Sequence, residues 1–192
     1  MINLNQNEMR RIFQAAGAIL SGHFLLTSGR HSDTYIQCAL VLQFPEYAAR
    51  LGSELAKRFA GMGLGCVVGP ALGGIIVAYE VARVLGVRAL FTERVDGVMR
   101  LRRGFTVAPA ERALVVEDVV TTGGSIKEAA TVIADLGGRI AGFGALIDRS
   151  EGKADFEAPF HALLKIDAVT WDPEECPLCR AGIPAVKPGS RK

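Results

Sequence analysis

The 192-residue sequence is short of several things, and each shortage excludes a class of protein. Net charge is nearly absent: 22 Lys and Arg stand against 20 Asp and Glu, a formal balance of +2. So small a balance gives no basic field for holding nucleic acid, and none is expected as a partner. No apolar run approaches the ~20 residues that cross a bilayer, so no membrane partner is expected either. The opening residues, Met-Ile-Asn-Leu-Asn-Gln-Asn-Glu, show no basic segment followed by an apolar core, so no signal peptide is expected. A cytoplasmic protein follows, and its four cysteines are expected as thiols. Two well-known phosphate loops are also missing. There is no Gly-x-x-x-x-Gly-Lys-Ser/Thr, and no Gly-x-Gly-x-x-Gly after a strand. Internal repeats and long linkers are absent too, and the length suits one domain with a sizeable core.

What is present centres on Ala113-Leu114-Val115-Val116-Glu117-Asp118-Val119-Val120-Thr121-Thr122-Gly123-Gly124-Ser125. The Val-rich start reads as a strand buried on both faces. Glu117 and Asp118 stand where that strand should end. Ile126, Ala129, Ala130, Ile133 and Leu136 then share one helical face. Ser125 and Glu128 have capping-box spacing, which predicts a helix start there. A helix N-terminus attracts anions through its free N–H groups and its dipole. Gly123 and Gly124 let the backbone wrap a phosphate, and Thr121, Thr122 and Ser125 add hydroxyl donors. Glu117 and Asp118 would repel a phosphate. They suit ribose hydroxyls or a bound Mg²⁺ instead. A phosphorylated sugar presents all of these groups at once.

The rest of the chain arranges itself around that stretch. A helix is predicted over Asn7 to Leu20, with Met9, Ile12, Phe13, Ala16, Ile19 and Leu20 buried and Gly22 just past its end. Phe24 to Gln37 reads as extended segments around the turn Ser28-Gly29-Arg30. Pro45 opens a second helix with Ala48, Leu51, Leu55 and Phe59 inward. From Cys66 onward strands and helices alternate: a strand at 66–69, a helix at 74–85, strands at 87–92 and 140–147. This pattern implies an α/β fold, a mostly parallel sheet flanked by helices. Ligands of such sheets sit at the C-terminal strand ends. That rule gathers Gly69 to Gly74, Glu93-Arg94, Glu117-Asp118 and Asp148-Arg149 around one crevice.

Three further segments carry chemistry. Gly69-Pro70-Ala71-Leu72-Gly73-Gly74 is a second small-residue loop between strand and helix, able to hold another anion or to serve only as a tight connection. Arg149 can grip a planar carboxylate with its fork, or pair with its neighbour Asp148. Glu93 to Phe105 holds Arg94, Arg100, Arg102 and Arg103 around an Asp96-Gly97 turn, either a solvated basic hairpin or a loop that meets an anion. Cys176-Pro177-Leu178-Cys179 is half a zinc site. Cys38 and Cys66 complete it only where the fold brings them near, and free thiols in a covering tail are the expectation. His31 is read as a structural hydrogen-bonder, and His23 and His161 sit in no constellation. No metal-ligating side chain is assigned.

The run from Leu114 to Ser125 resembles the phosphoribosyl pyrophosphate motif of type I phosphoribosyltransferases. Phe24-Leu25-Leu26-Thr27-Ser28-Gly29-Arg30-His31-Ser32 and Asp148-Arg149 resemble the orotate-specific members. Many of these carry Lys where this chain has Thr27, two aromatics where it has Tyr35-Ile36, and a loop richer in Lys where it has arginines. The resemblance implies a single phosphoribosyltransferase domain over 1–192, with a small N-terminal hood from 1–44 and a Pro/Gly-rich tail from 172–192. It implies transfer of a phosphoribosyl group from phosphoribosyl pyrophosphate to orotate, with Mg²⁺ as cofactor and a homodimer as the working unit. The implied roles run as follows. Glu117, Asp118 and the run Val119, Val120, Thr121, Thr122, Gly123, Gly124 and Ser125 bind ribose phosphate. Ala71, Leu72, Gly73 and Gly74 meet the diphosphate. Ser28 and Arg149 meet the base. Asp118, Arg94, Arg100, Arg102 and Arg103 serve the chemistry, the arginines from a mobile loop that closes over the partner subunit. Two alternatives stay open: a purine phosphoribosyltransferase, and a regulator that senses phosphoribosyl pyrophosphate and binds nucleic acid.

Overall fold

A computed structural model of the chain describes residues 4–26, 28–166 and 168–188. Helix α1 (Gln6–Ala15) starts on a capping box. The Glu8 N–H donates to Asn5 Oδ1, and the Asn5 N–H donates to Glu8 Oε2. It stops well before Leu20. Gly17, at φ 64°, turns the chain, its N–H donating to Gln14 O while the Ala18 N–H donates to Phe13 O. That pair of bonds is a Schellman end. Ile19 and Leu20 continue the helical spacing, yet they open strand β1 (Ile19–Leu25). A turn leads to β2 (His31–Ile36), a one-turn helix α2 (Ala39–Leu42) that the sequence did not announce, and α3 (Pro45–Lys57). Ala48, Leu51, Leu55 and Phe59 are buried, as their spacing predicts.

The alternating region follows with β3 (Cys66–Pro70), α4 (Gly73–Leu85), β4 (Arg88–Val95), β5 (Val98–Leu101), β6 (Arg112–Val120), α5 (Gly124–Asp135), β7 (Arg139–Asp148) and β8 (Phe160–Lys165). The chain ends with β9 (Thr170–Trp171) and the single turn α6 (Pro177–Arg180). The main sheet has the order β5-β4-β3-β6-β7-β8, and all its pairs are parallel except the β4–β5 hairpin. Successive residues of its central strands face opposite layers. Val67, Leu114 and Val116 pack toward α3 and α4, whereas Val68 and Val115 pack toward α5. Both faces are therefore covered, and the Val-rich runs are buried as expected.

A second, small sheet has the order β1-β2-β9. The hood therefore takes one of its strands from the end of the chain. Val186 extends that union, its N–H donating to His23 O and its carbonyl accepting from the Leu25 N–H. Arg30 pairs with Asp172 at 2.7 Å, and the Ser32 hydroxyl donates to Val169 O. Two residues of the hood signature thus hold the tail in place.

Candidate active site

Strand order reverses beside β3. The chain runs from β3 to β4 on one side, then returns to place β6 on the other. A crevice opens at such a switch point, outside the C-terminal strand ends. Here the loop after β3 meets the end of β6.

The β3–α4 loop is built for close approach. A Cβ on Gly69 would lie 2.1 Å from Gly74 O, so only glycine lets the loop fold onto itself. A Cβ on Gly73 would lie 2.3 Å from Asp118 Oδ2, so this loop rests directly against the Asp118 carboxyl. The Ala71 N–H donates to Thr92 O at 2.7 Å, the Ala71–Leu72 peptide is cis, and Leu72 stands 77% exposed.

Strand β6 runs to Val120, so Glu117 and Asp118 lie inside it, opposite the last residues of β7, rather than beyond its end. Asp118 accepts a bond from the Val119 N–H at 2.9 Å. Burial outweighs that bond and pushes its carboxyl above the usual range. Val119 and Val120 pair with Ile147 and Asp148 and fix the strand end. Thr121 and Thr122 follow, both exposed. The helix then starts from Gly123 at φ 77°, with no side-chain cap. The predicted Ser125–Glu128 box does not form. Gly123 supplies the turn through its backbone, and Glu128 is drawn outward to Arg94 at 2.7 Å. The first N–H groups of α5 lack intrahelical partners by construction, and the Gly124 N–H donates to Thr122 Oγ1 at 3.4 Å. Leu136, predicted inward, is the C-cap and 49% exposed.

Arg149 follows β7. It is not paired with Asp148, which instead accepts the Ser150 N–H at 2.8 Å. Among the described residues, two buried side-chain polar atoms have no hydrogen-bond partner, Thr92 Oγ1 and Arg149 Nε. Thr92 lies within β4, opposite Pro70 at the end of β3, and Arg149 directly follows β7. Burial lowers the affinity of Arg149 for its proton, and Tyr35 and Glu151 oppose that effect. Tyr35, raised first by burial and then by Asp118, comes from the hood strand β2. Cys38 lies beside them, its Sγ 4.0 Å from Asp118 O. Tyr35 of β2, Asp118 and Arg149 thus lie close enough to feel one another's charge.

The four arginines lie on the β4–β5 hairpin and just after it. Asp96 and Gly97, at φ 52° and 81°, make the two-residue turn that hairpin twist favours. Acid partners satisfy three of them. Arg94 meets Glu128, and Arg102 and Arg103 meet Glu93. The charge of Glu117 also favours the cationic form of Arg94. Arg100 has no ion pair among the described residues and is exposed.

Ser28 sits exposed in the β1–β2 turn, where its hydroxyl accepts the Arg30 N–H at 3.4 Å. Thr27 lies outside the described residues. The Lys153 ammonium holds the Glu151 carboxyl below its usual range, and Arg30 and Arg149 add to that, so the β1–β2 turn lies near the end of β7. His23, predicted to sit alone, does not. It joins His31, Cys176 and Cys179 in one cluster, while Cys38 lies by Asp118 and Cys66 opens β3. The available signal was a Cys-x-x-Cys plus two histidines eight residues apart.

A phosphoribosyl transferase domain matches residues 65–178. An orotate phosphoribosyltransferase of Pelotomaculum thermopropionicum is 60% identical over 98% of this chain and 100% of its own length. The chain belongs to the orotate phosphoribosyltransferase family. Among solved structures, the orotate phosphoribosyltransferase of Aeropyrum pernix has a TM-score of 0.67 at 25% identity, covering 82% of this chain and 93% of its own. An adenine phosphoribosyltransferase of Thermoanaerobacter pseudethanolicus also scores 0.67, covering 84% and 100%, but at 16% identity it shares the fold alone.

Proposed function

We propose that the chain transfers the 5-phosphoribosyl group of phosphoribosyl diphosphate to orotate, giving orotidine 5′-monophosphate and diphosphate. The observation that carries the choice of base is Arg149, whose buried Nε lacks a partner beside Tyr35 and Asp118. A planar carboxylate on the incoming base satisfies that fork. A purine brings no such group.

The chemistry needs no covalent nucleophile. A ring nitrogen of orotate bonds to the anomeric carbon as the carbon–oxygen bond to diphosphate breaks, and the electron pair leaves with the diphosphate. Positive charge develops on the ribose. The protein's part is positioning and electrostatics. Thr121 to Ser125, at the α5 N-terminus, would hold the 5′-phosphate. Glu117 and Asp118 would accept from the ribose hydroxyls. Ala71 to Gly74 would meet the diphosphate, and Arg100, exposed and without an ion pair among the described residues, would be free to join them, with Arg94, Arg102 and Arg103 exchanging acid partners for it. Ser28 would face the base from the hood turn. The Glu117 and Asp118 carboxylates are hard oxygen donors and fit the Mg²⁺ expected to accompany the substrate. That ion would screen the diphosphate charge.

Diphosphate release tests the reading. It should be fast with orotate and near background with uracil, adenine or hypoxanthine. Release with adenine but not with orotate would replace this function with the purine one. The net charge of +2 argues against the nucleic-acid-binding alternative. A cytoplasmic site of action fits a chain in which no described helix is long and apolar enough to cross a membrane.

A homodimer is part of the proposal. Leu72, Ile76 and Tyr79 line the outer side of α4 and its entry loop, 77%, 41% and 61% exposed. An apolar stripe of this kind suits a second copy of the chain. If the Arg hairpin serves the partner's site, complementation should reveal it. A protein with Arg100, Arg102 and Arg103 changed to Ala and a protein with Asp118→Asn should each be nearly inactive. After subunit exchange, roughly a quarter of wild-type sites should work again, because random isologous pairing gives half heterodimers with one intact site each. Demonstrated exchange without recovery would assign the hairpin to its own subunit.

A further inference from the structure

We propose that His23, His31, Cys176 and Cys179 bind one zinc ion that fastens the hood to the C-terminal tail. The four side chains come from opposite ends of the chain. His23 lies in β1 and His31 opens β2, while Cys176 caps α6 and Cys179 lies within it. One ligand atom from each falls within 4.8 Å of all the others. His23 Nε2 is 2.8 Å from His31 Nδ1, 3.4 Å from Cys176 Sγ and 3.8 Å from Cys179 Sγ, and Cys179 Sγ is 3.3 Å from His31 Nδ1. Tetrahedral zinc with its usual bond lengths separates ligands by about 3.3 Å (N to N) and about 3.5 Å (N to S). The nitrogen–sulfur spacings match, and the nitrogens need only part slightly.

Hydrogen bonding alone accounts poorly for this convergence. His23 Nδ1 faces Ile183 O at 2.7 Å, so that nitrogen carries the proton and Nε2 presents a lone pair. One in-plane lone pair accepts one good bond, yet three groups crowd it. A cation at the common centre would use every one of the four donors. The Ile183 carbonyl then acts as the outer partner that zinc-bound imidazoles usually have, fixing both tautomer and ring angle. Three of the four are buried, His23, His31 and Cys176 at 4%, 7% and 0% exposed, and Cys179 closes the site at the surface.

Two Cys and two His with no open position make a closed, structural site rather than a catalytic one. The need for it is visible in α6. This four-residue turn buries none of its own residues, so packing gives it little reason to dock. A metal ion would supply that reason, at the cost of two protons released from the thiols. The role is independent of the transfer chemistry and stands even if the base specificity is otherwise.

Protein purified without chelator or added metal should contain one zinc per chain by mass spectrometry of the elements. Cobalt(II) put in its place should give the visible bands of a tetrahedral ion and a near-ultraviolet thiolate charge-transfer band. Stripping the metal should lower Tm, and zinc but not magnesium should restore it. Cys176→Ser with Cys179→Ser should hold less than a tenth of the zinc. If that pair folds poorly, the wild-type cobalt spectrum decides alone. A wild-type chain without zinc and without a cobalt–thiolate band overturns the proposal. Zinc retained by the double variant, or a Cys176–Cys179 disulfide in the native protein, overturns it as well.

Discussion

Arg149→Ala is expected to weaken orotate while leaving phosphoribosyl diphosphate nearly untouched. The Arg149 side chain is half-buried, and its buried Nε has no hydrogen-bond partner among the described residues. Burial already disfavours its charge, so the side chain is held ready at a cost that only an anion offsets. Removing it would leave the orotate carboxylate without its partner. Losing one member of a buried charged pair costs roughly 2–5 kcal/mol, or about 30- to 5,000-fold in kcat/KM for orotate. Arg149→Lys should recover only part, because a point charge cannot reproduce the planar fork. Steady-state kinetics with each substrate varied in turn would show it. Equal losses for both substrates would make Arg149 structural.

Asp118→Asn should separate activity from stability. Burial holds the Asp118 carboxyl above its ordinary range in the folded chain. Well below that range the acid is protonated in both states and contributes no pH dependence. As pH climbs through the ordinary value toward the raised one, the unfolded chain gives up its proton first, and stability falls. The deficit is complete once the pH has passed the raised value. An amide carries no such charge and can still accept the Val119 N–H. The variant should therefore melt at or above wild type at pH 7, and the gap should close below about pH 4. Activity should fall roughly 10- to 150-fold, the scale of losing a charged hydrogen bond. A clear drop in Tm at neutral pH would mean that the carboxylate anchors the crevice. Full activity in a stable variant would remove its ribose role.

The crevice was legible because its signals are local. Small residues between a Val-rich strand and an amphipathic helix mark a βα loop, and Gly69, Gly73 and Gly74 are glycines because backbone and Asp118 leave no room for a side chain. Misread features had their causes elsewhere. Ile19 and Leu20 keep helical spacing past Gly17, but the αL glycine ends the helix and the strand pairing with Tyr35 and Ile36 takes them. Ser125 and Glu128 look like a cap, yet Arg94, 34 residues away, takes the glutamate. The Arg hairpin looked like unrelieved positive charge because Glu93 and Glu128 meet it only after folding. The His–Cys cluster joins residues about 150 positions apart, which no spacing rule spans.

The union of β1 and β2 with β9 and Val186 also sets a schedule. Chains emerge from the ribosome N-terminus first. Both small-residue loops and Arg149 are synthesised before Thr170, Trp171 and Val186 exist. A nascent chain can therefore form the strands and loops of the main sheet while the hairpin carrying Tyr35 still waits for an edge to pair with. The small sheet is completed only once Thr170, Trp171 and Val186 have been made, and a message cut short before them would yield a protein with both small-residue loops intact and β1 and β2 unfastened.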